Sequence, residues 1–354
     1  MDPVIPASLL RSPNRTMLQP REPAAPSAVK ASSSGAKGTA RSSRKRGPVT
    51  PSWLMDPDDE RLSTGTMLAH TKQYRIEGCI GEGGMGWVYE AWDPVLERPV
   101  ALKVMKPDVP ASERDRFRRE AIWGARFCHP SIARVFDLVG VPGQGISWFV
   151  MEFLPGRDLG TLIQRASSQG NLIPLRLVAD VFRQILGALQ YSHDCQVVHR
   201  DVKPDNIFVT RDPNTNFVTS KLLDFGVALD RSQAQLAPEK HLVGDPRYIA
   251  PEQTQHGREV DGRADVYAAG MALYEALTNR HPFQDLLDGP FNALLQAQRE
   301  RIPMPPSTYL PESYPATLVC GLDVVFAKAT AKHPDDRFES AKAMQATLLD
   351  VLKS

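Results

Sequence analysis

Cysteine, long apolar runs and net charge are all scarce in this sequence. Its four cysteines lie far apart in the 354 residues and form no CxxC pair; they are Cys79, Cys128, Cys195 and Cys320. Such spacing argues against a disulfide framework or a zinc site and favours a reducing cytosol. The apolar runs fall well short of the roughly 18 residues that a membrane helix needs, and the proline-broken N-terminus is unlike a signal peptide. We therefore expect a cytoplasmic protein with no membrane partner.

The formal net charge of +1, with 23% charged residues, provides no overall field for binding nucleic acid. Residues 1–60 are rich in proline, serine and alanine and show no sustained period, so we predict that they are disordered. Within them, the basic patch at residues 41–46 could dock an acidic or nucleic-acid partner, but a solvated tail is the simpler interpretation. Nucleic acid is not expected as a partner, and docking of a partner protein through this tail stays open.

The sequence predicts that order begins near Tyr74. Residues 74–80 have the pattern of a strand, and residues 87–92, rich in aromatic and β-branched side chains, that of a second strand. Between them stands the glycine-rich run GEGGMG at residues 81–86. In a dinucleotide-binding unit such glycines open a helix, whereas here they join two strands. We interpret the run as a glycine-rich hairpin whose bare backbone amides can approach phosphate groups.

A lysine interrupts the apolar third strand, which is predicted over residues 100–103. Most lysines lie on surfaces, but the apolar neighbours of Lys103 indicate a half-buried position. A helix over residues 112–127 follows and carries Glu120 midway, which is the candidate ion-pair partner of Lys103. Glu113 is the rival, yet it falls in the first turn, where a carboxylate usually just favours the helix dipole.

Beyond this lysine the pattern changes from strands to helices. Ser112 is predicted to cap the first helix, with Asp115 at the capping-box position. Two more strands, at residues 135–139 and 146–151, precede a long helix over residues 174–194. Short strands are then predicted at residues 197–198, 207–209 and 220–223, and four helices from Asp265 onward, the first over 265–278 and the last over 339–352. This order predicts a small β-rich lobe followed by a larger helical lobe, which is an α+β fold.

The stretch HRDVKPDN at residues 199–206 concentrates the polar groups that a phosphoryl-transfer site needs. Asp201 offers a carboxylate that can accept a proton from an alcohol. Lys203 offers a cation for the phosphate in transfer, and Asn206 offers an amide oxygen for a metal ion. Alone, such a run could be a solvated loop. The glycine run and Lys103 before it, and Asp224-Phe225-Gly226 after it, favour the functional interpretation.

Residues 74–352 resemble a eukaryotic-type (Hanks-type) protein serine/threonine kinase domain of the bacterial subgroup. The glycine run fits GxGGMGxVY, the polar stretch fits HRDxKPxN, and DFG and APE follow in the family's order at residues 224–226 and 250–252. The resemblance implies a bilobal protein kinase fold, with an N-lobe over about residues 74–151 and a C-lobe over about residues 155–352. The lysine of HRDxKPxN is typical of kinases that act on serine or threonine.

The resemblance also implies ATP and Mg²⁺ as ligands and a role for each site residue, following the general protein-kinase template. The implied catalytic residues are Lys103, Glu120, Asp201 and Lys203, and the implied Mg²⁺ ligands are Asn206 and Asp224. The first lysine and its glutamate hold the α- and β-phosphates, the aspartate accepts the hydroxyl proton, and the second lysine neutralises the transferred group. The residues expected to contact ATP are Ile80, Gly81, Gly83, Gly86, Val88, Ala101, Lys103, Glu152, Leu154 and Phe208.

Other residues are expected to brace this site without touching substrate. A pair between Glu252 of the APE motif and Arg337 would tie the substrate-binding segment to the helical lobe. Asp265 would accept hydrogen bonds from the backbone of the HRDVKPDN stretch. Met151 stands at the position that, in the family, controls access to the back of the adenine pocket.

The sequence departs from the family in the second lobe. The turn near residues 212–214 is longer than the family norm. The activation segment, residues 227–249, has no threonine, and Ser232 is its only serine. Asp245 stands where the family's GTP motif has threonine.

We hypothesise that Asp245 supplies a fixed negative charge that faces Lys203 or Arg200. Such a charge would partly replace regulation by phosphorylation. It would also repel Asp201 and so disturb the catalytic carboxylate.

The function that these observations favour is a protein serine/threonine kinase, which transfers the γ-phosphate of ATP to serine or threonine hydroxyls of protein substrates. The alternative is a pseudokinase-like, ATP-binding signalling scaffold, which draws support from Asp245 and the activation segment. A small-molecule phosphotransferase is less favoured, because the APE segment and its arginine form a platform for protein substrates.

Overall fold

The computed structural model describes residues 55–56, 59–69, 73–107, 109–140, 147–212, 217–231, 243–255 and 258–353. Several predictions concern residues outside these ranges. They are the disorder of residues 1–54 and 57–58, the basic patch at residues 41–46, the longer turn at residues 213–214, and the lone serine Ser232.

The first lobe is an antiparallel sheet with one helix packed on it. Its elements are β1 (Met55–Asp56), β2 (Asp59–Leu62), β3 (Met67–Ala69), β4 (Gln73–Glu82), β5 (Gly86–Asp93), β6 (Arg98–Met105), α1 (Ala111–Arg126), β7 (Val135–Val139) and β8 (Trp148–Glu152). The six-stranded sheet has the order β3-β4-β5-β6-β8-β7, while β1 and β2 form a separate hairpin. The sheet aligns the glycine-rich hairpin between β4 and β5 with the lysine-bearing strand β6.

Order begins earlier than the sequence predicts. Strands β1, β2 and β3 all precede Tyr74, and β3 pairs with β4 at the edge of the sheet. Leu62 and Leu68 are buried in the same apolar cluster as Ile76, and the Leu62 N–H donates to the Tyr89 hydroxyl at 2.9 Å. The start near Tyr74 is therefore wrong, because these short strands are stabilised by packing against distant residues and show no period of their own.

The predicted cap of the first helix is also wrong. Helix α1 begins at Ala111 after Pro110, with no side-chain cap. The backbone carbonyl of Pro110 accepts hydrogen bonds from the Glu113 and Arg114 N–H groups instead. Ser112 thus lies inside the first turn, where its hydroxyl cannot serve as the N-cap.

The second lobe is mainly helical. Its elements are β9 (Gly156–Asp158), α2 (Leu159–Ser168), α3 (Leu175–Asp194), β10 (Val197–Val198), β11 (Ile207–Arg211), β12 (Val218–Leu222), β13 (Leu229–Asp230), α4 (Gly262–Thr278), α5 (Phe291–Glu300), α6 (Ala316–Ala329) and α7 (Ala341–Val351). The long helix α3 and the four later helices confirm the predicted pattern. Helix α2 was not predicted, although Asp158 caps it by accepting the Thr161 N–H at 2.7 Å.

Helix α4 lies at the centre of this lobe. Every residue from Ala264 to Tyr274 is buried, so the helix has apolar neighbours on all sides. Its few buried polar groups must therefore have partners. One of them, Asp265, is fully buried and points at the loop between β10 and β11, which carries the HRDVKPDN stretch.

Candidate active site

The loop that follows β10 is held from below by Asp265. One carboxylate oxygen of Asp265 accepts the His199 N–H at 2.8 Å and the His193 Nε2 at 2.7 Å, and the other accepts the Arg200 N–H at 2.8 Å. Burial alone would raise the pKa of Asp265, but the bond from His193 and the charges around it lower the pKa instead. The predicted bracing by Asp265 is confirmed, and it fixes the backbone on which the next residues stand.

The carboxylate of Asp201 is oriented by donors on both of its oxygens. Lys203 Nζ lies 2.9 Å from Oδ2, and Asn206 Nδ2 donates to the same oxygen at 3.0 Å. The Asp245 N–H donates to Oδ1 at 2.9 Å. With its side chain 12% exposed, Asp201 stays within reach of solvent and substrate while its direction is fixed. A carboxylate oriented in this way is compatible with the predicted role of Asp201 as a general base.

Asp224 and Asn206, the predicted metal ligands, are each oriented by hydrogen bonds. Asp224 adopts the left-handed backbone conformation, with φ 59, and its Oδ1 accepts the Gly226 N–H at 3.0 Å. Burial would raise the pKa of Asp224, but Lys103 and the Gly226 N–H outweigh it and lower that pKa. Asn206 Nδ2 also donates to the Asp201 carbonyl at 2.8 Å, so its amide oxygen is the atom that can bind a cation.

These two side chains fit Mg²⁺. Within the described ranges, no group of three or more His, Cys, Asp or Glu could hold a metal alone. Mg²⁺ at nucleotide sites usually takes one or two protein oxygens and completes its shell with phosphates and waters. An ionised carboxylate beside an amide oxygen matches that donor set.

Lys103 and Glu120 form a short, largely buried ion pair. Lys103 Nζ lies 2.7 Å from Oε1 and 2.6 Å from Oε2, and the two side chains are 15% and 10% exposed. The rival Glu113 instead binds Arg116 at 2.9 Å. Burial, followed by the charge of Asp224, raises the pKa of Glu120 to about 7. Burial would lower the pKa of Lys103, but Glu120 and Asp224 outweigh it and raise that pKa.

The glycine-rich hairpin between β4 and β5 leaves bare backbone above this pair. The Gly83 N–H donates to the Gly86 carbonyl at 2.9 Å and closes the turn. A Cβ at Gly86 would collide with the Val104 carbonyl oxygen, whereas a Cβ at Gly83 or Gly81 would make only ordinary van der Waals contacts. Glycine therefore serves two purposes here, close strand packing and an uncovered backbone that can receive phosphates.

The predicted adenine-contacting residues are divided between the two lobes. In the β5–β6 and β6–β8 registers, Val88 lies opposite Lys103 and Ala101 opposite Met151. Phe208 is half-buried on β11 in the second lobe, and Leu154 is half-buried after β8. Ile80 is 52% exposed at the mouth of the hairpin.

Lys221 was missed by the sequence reasoning. Its Nζ binds Glu152 Oε1 at 2.8 Å, and that oxygen also accepts the Arg134 N–H at 2.7 Å. Because Lys221 pairs with Phe208 across β11 and β12, this bond draws the strand of Phe208 against the end of β8. A lysine that interrupts an apolar strand was the criterion that selected Lys103, and it could have selected Lys221 as well.

Glu252 and Arg337 form the predicted brace. Arg337 donates from Nη1 and Nη2 to the two carboxylate oxygens, each at 2.7 Å, and its side chain is 0% exposed. Arg337 also donates to the carbonyls of Arg263 and Ala331. These further bonds satisfy a charge that would otherwise be costly to bury.

Asp245 faces Lys203, as hypothesised, at 3.7 Å. The nearer partner is Arg247, whose Nη2 lies 2.7 Å from Oδ2 and which the sequence reasoning missed. We expected the Asp245 carboxylate to repel the Asp201 carboxylate. The Asp245 N–H offsets that repulsion, because it donates a hydrogen bond to the Asp201 carboxylate. Burial would raise the pKa of Asp245, but the bonds from Arg247 lower it.

A family model described as "Protein kinase domain" matches residues 74–345. A probable serine/threonine-protein kinase of Corynebacterium efficiens is 39% identical over 282 residues, which cover 78% of this chain and 41% of that protein. The serine/threonine-protein kinase PknB of Mycobacterium tuberculosis is 36% identical over 288 residues, covering 79% of this chain and 43% of PknB. The chain thus spans about two fifths of the length of these two relatives.

The fold also matches solved structures. The crystal structure of the PknI kinase domain of Mycobacterium tuberculosis superposes with a TM-score of 0.61 at 28% identity, covering 83% of this chain and all of that one. Along the part of the chain that the structure describes, no helix is both long and apolar enough to cross a bilayer.

Proposed function

This chain belongs to the protein kinase family, and we propose that it is an ATP-dependent protein serine/threonine kinase. The observation that carries the proposal is the Asp201 carboxylate, which Lys203, Asn206 and the Asp245 N–H hold in one orientation. A loop without a catalytic task would not need such control of a single carboxylate. The proposed reaction transfers the γ-phosphate of ATP to serine or threonine hydroxyls of protein substrates.

Each group near Asp201 has a task in that reaction. Asp201 accepts the proton of the attacking hydroxyl, and Lys203, 2.9 Å away, neutralises charge on the transferred phosphoryl group. Lys103, held by Glu120, binds the α- and β-phosphates. Asn206 and Asp224 hold Mg²⁺, which when bound neutralises the phosphate charge.

The nucleotide itself lies between the lobes in this proposal. The backbone of the hairpin, at Gly81, Gly83 and Gly86, covers the phosphates. The base is bonded by the backbone of Glu152 and Leu154 and packed between apolar side chains. Those side chains are Ile80, Val88, Ala101 and Phe208.

The pseudokinase-like alternative has lost its main support. It drew on Asp245 as a charge that would disturb the catalytic carboxylate. Arg247 neutralises that charge, and the backbone of Asp245 helps to orient Asp201. Lys203 and Asn206 contact the Asp201 carboxylate, and Lys103 contacts Glu120, which supports catalysis over a scaffold.

We extend the proposal to partners and location. The partners are ATP and protein substrates, and the basic tail serves as a docking segment for a partner protein. A cytoplasmic location is supported by the cysteines, because all four thiols are free and exposed. Exposed thiols persist in a reducing compartment.

The product of the reaction tests this function. The full chain is incubated with labelled ATP, Mg²⁺ and casein, and the labelled residues are identified by mass spectrometry. We expect phosphoserine and phosphothreonine on casein. Binding of ATP without any transfer would support the scaffold, and transfer to a small alcohol but not to protein would support a small-molecule phosphotransferase. The same spectra show whether Ser232 is labelled.

A further inference from the structure

A charge pair at the end of the activation segment has no place in the reaction described above. Arg247 Nε donates to Asp245 Oδ1 at 3.0 Å and Nη2 donates to Oδ2 at 2.7 Å. The Arg247 N–H donates to Oδ1 as well, at 3.0 Å. A bidentate guanidinium with an added backbone bond fixes both side chains relative to their own backbone.

Asp245 adds a second carboxylate next to Lys203, and Arg247 supplies a second cation. Lys203 Nζ lies 2.9 Å from Asp201 and 3.7 Å from Asp245, so one lysine faces two carboxylates. The Asp245 N–H is bonded to the Asp201 side chain, so the backbone of Asp245 stays beside the Asp201 carboxylate. Two like charges at such range repel each other unless a second cation is supplied. Arg247 is that cation, since its side chain is within bonding distance of Asp245.

The backbone of this segment is fixed separately from its charges. The Arg247 carbonyl accepts bonds from His281 Nε2 at 2.9 Å and from the buried Gln298 Nε2 at 2.6 Å. On the other side Gly244 has φ +101, and a Cβ there would lie 2.5 Å from the Arg200 carbonyl oxygen. These contacts do not involve the Asp245 side chain. They hold the backbone of residues 244–247 close to the HRDVKPDN stretch. The charge pair of Asp245 and Arg247 instead sets the electrostatic potential at the Asp201 carboxylate.

We propose that Arg247 is a positioning residue: it neutralises Asp245, so that the Asp245 N–H can orient Asp201 beside a second carboxylate without repelling it. This rests on the proposed kinase function and deepens it.

A charge-compensation experiment tests the proposal in the chain of 354 residues. Arg247→Gln leaves Asp245 uncompensated, and we expect kcat to fall by up to about 100-fold, as for a misplaced reacting group, with little change in the KM for ATP. Asp245→Asn in the same chain removes the unwanted charge and keeps the N–H, so the double variant should recover most of the lost kcat. A double variant no better than Arg247→Gln would overturn the proposal and leave Arg247 a purely structural role.

Arg247→Lys provides the conservative variant. Lysine keeps the positive charge but lacks the bidentate geometry. We expect it to retain more kcat than Arg247→Gln, and equal losses would contradict charge compensation. Thermal unfolding of each variant shows whether it is folded, and the comparison is made among folded variants. If the wild-type chain transfers no phosphate at all, the kinase function fails; if it transfers but the double variant does not recover, this inference alone fails.

Discussion

The candidate site holds two charge clusters, each named for the lobe that carries its lysine. In the small-lobe cluster, Lys103 faces the carboxylates of Glu120 and, through space, Asp224. In the large-lobe cluster, Lys203 and Arg247 face Asp201 and Asp245. The first cluster has one cation for two carboxylates, whereas the second has two cations, with Asp205 as a further carboxylate 3.7 Å from Arg247. The small-lobe cluster is thus short of positive charge at Asp224, where the proposed Mg²⁺ would bind. In the large-lobe cluster, Asp201 and Asp245 each have a cation of their own, at 2.9 Å and 2.7 Å.

The two clusters also differ in burial, and this difference governs what each contact contributes. The side chains of Lys103 and Glu120 are 15% and 10% exposed, while that of Arg247 is 43% exposed. Removing one partner of a buried pair leaves an uncompensated charge, but removing one partner of an exposed pair lets water take its place. The variants below change contacts along this range of burial.

The largest effect on stability is expected at the fully buried brace. Arg337→Met leaves Glu252 without its cation, and it should lower the free energy of unfolding by about 3–5 kcal/mol, measured in urea. The matched control is Arg301→Met, which breaks the exposed pair with Asp285. That control should lower the free energy of unfolding by less than about 1 kcal/mol. Equal losses in the two variants would show that burial does not set the contribution.

Lys103→Met breaks the small-lobe cluster. It removes the one cation facing two carboxylates, and we expect kcat to fall by about 10²- to 10³-fold because a preorganised charge on the phosphates is lost. This kcat is measured by steady-state phosphorylation of casein. Lys342→Met, an exposed lysine on α7, is the control and should behave as wild type. Near-normal turnover in Lys103→Met would remove Lys103 from the site.

The hydrogen bond between His281 and the Arg247 carbonyl should depend on pH. Its Nε2 donates to the Arg247 carbonyl and its Nδ1 accepts the Phe283 N–H, so the neutral ring fits. Burial lowers the pKa of His281 to about 4. This pKa lies below the value of about 6.5 in the unfolded chain. The contribution of His281 to the free energy of unfolding is therefore complete above pH 6.5 and is lost as the pH falls towards 4.

The size of this loss can be measured. About 2 kcal/mol of the unfolding free energy should disappear between pH 7 and pH 5 through this ring. Urea unfolding of wild type and His281→Gln at the two pH values isolates it, since the variant should lose less on acidification. Parallel losses in the two proteins would show that His281 does not carry the effect.

The smallest effect is expected at an exposed pair on the glycine-rich hairpin. Arg61 binds Glu82 at 3.1 Å, with both side chains 44% exposed. Arg61→Gln should change the KM for ATP by less than about five-fold, and less still in high salt. A change of more than about ten-fold would mean that the N-terminal strands control the hairpin more strongly than an exposed ion pair allows.

The sequence predicted the parts of this site that depend on residue type at a fixed spacing. Asp201, Lys203 and Asn206 stand within one loop, and Glu120 could be preferred to Glu113 by its place in the helix. Arg247 was missed because its importance follows from how Asp245 folds back on the catalytic loop. That contact forms only in the tertiary structure, so no local pattern indicates it.

The same reason explains the errors in the fold. The long helix α3 has a clear apolar period and was predicted nearly to its ends. Strands β2 and β3 are too short to show one, and they are held by Leu62 and Leu68 in a core built from distant residues. The predicted cap failed because Pro110 moved the start of α1 ahead of Ser112.

The central claim is that Asp201 is the base for transfer to a protein hydroxyl. The most direct measurement compares turnover on casein and ATP affinity for wild type, Asp201→Asn and the exposed control Asp194→Asn. We predict that Asp201→Asn lowers turnover by roughly 10²- to 10⁴-fold with unchanged ATP affinity, and that the control matches wild type. Wild-type turnover in Asp201→Asn would contradict the claim.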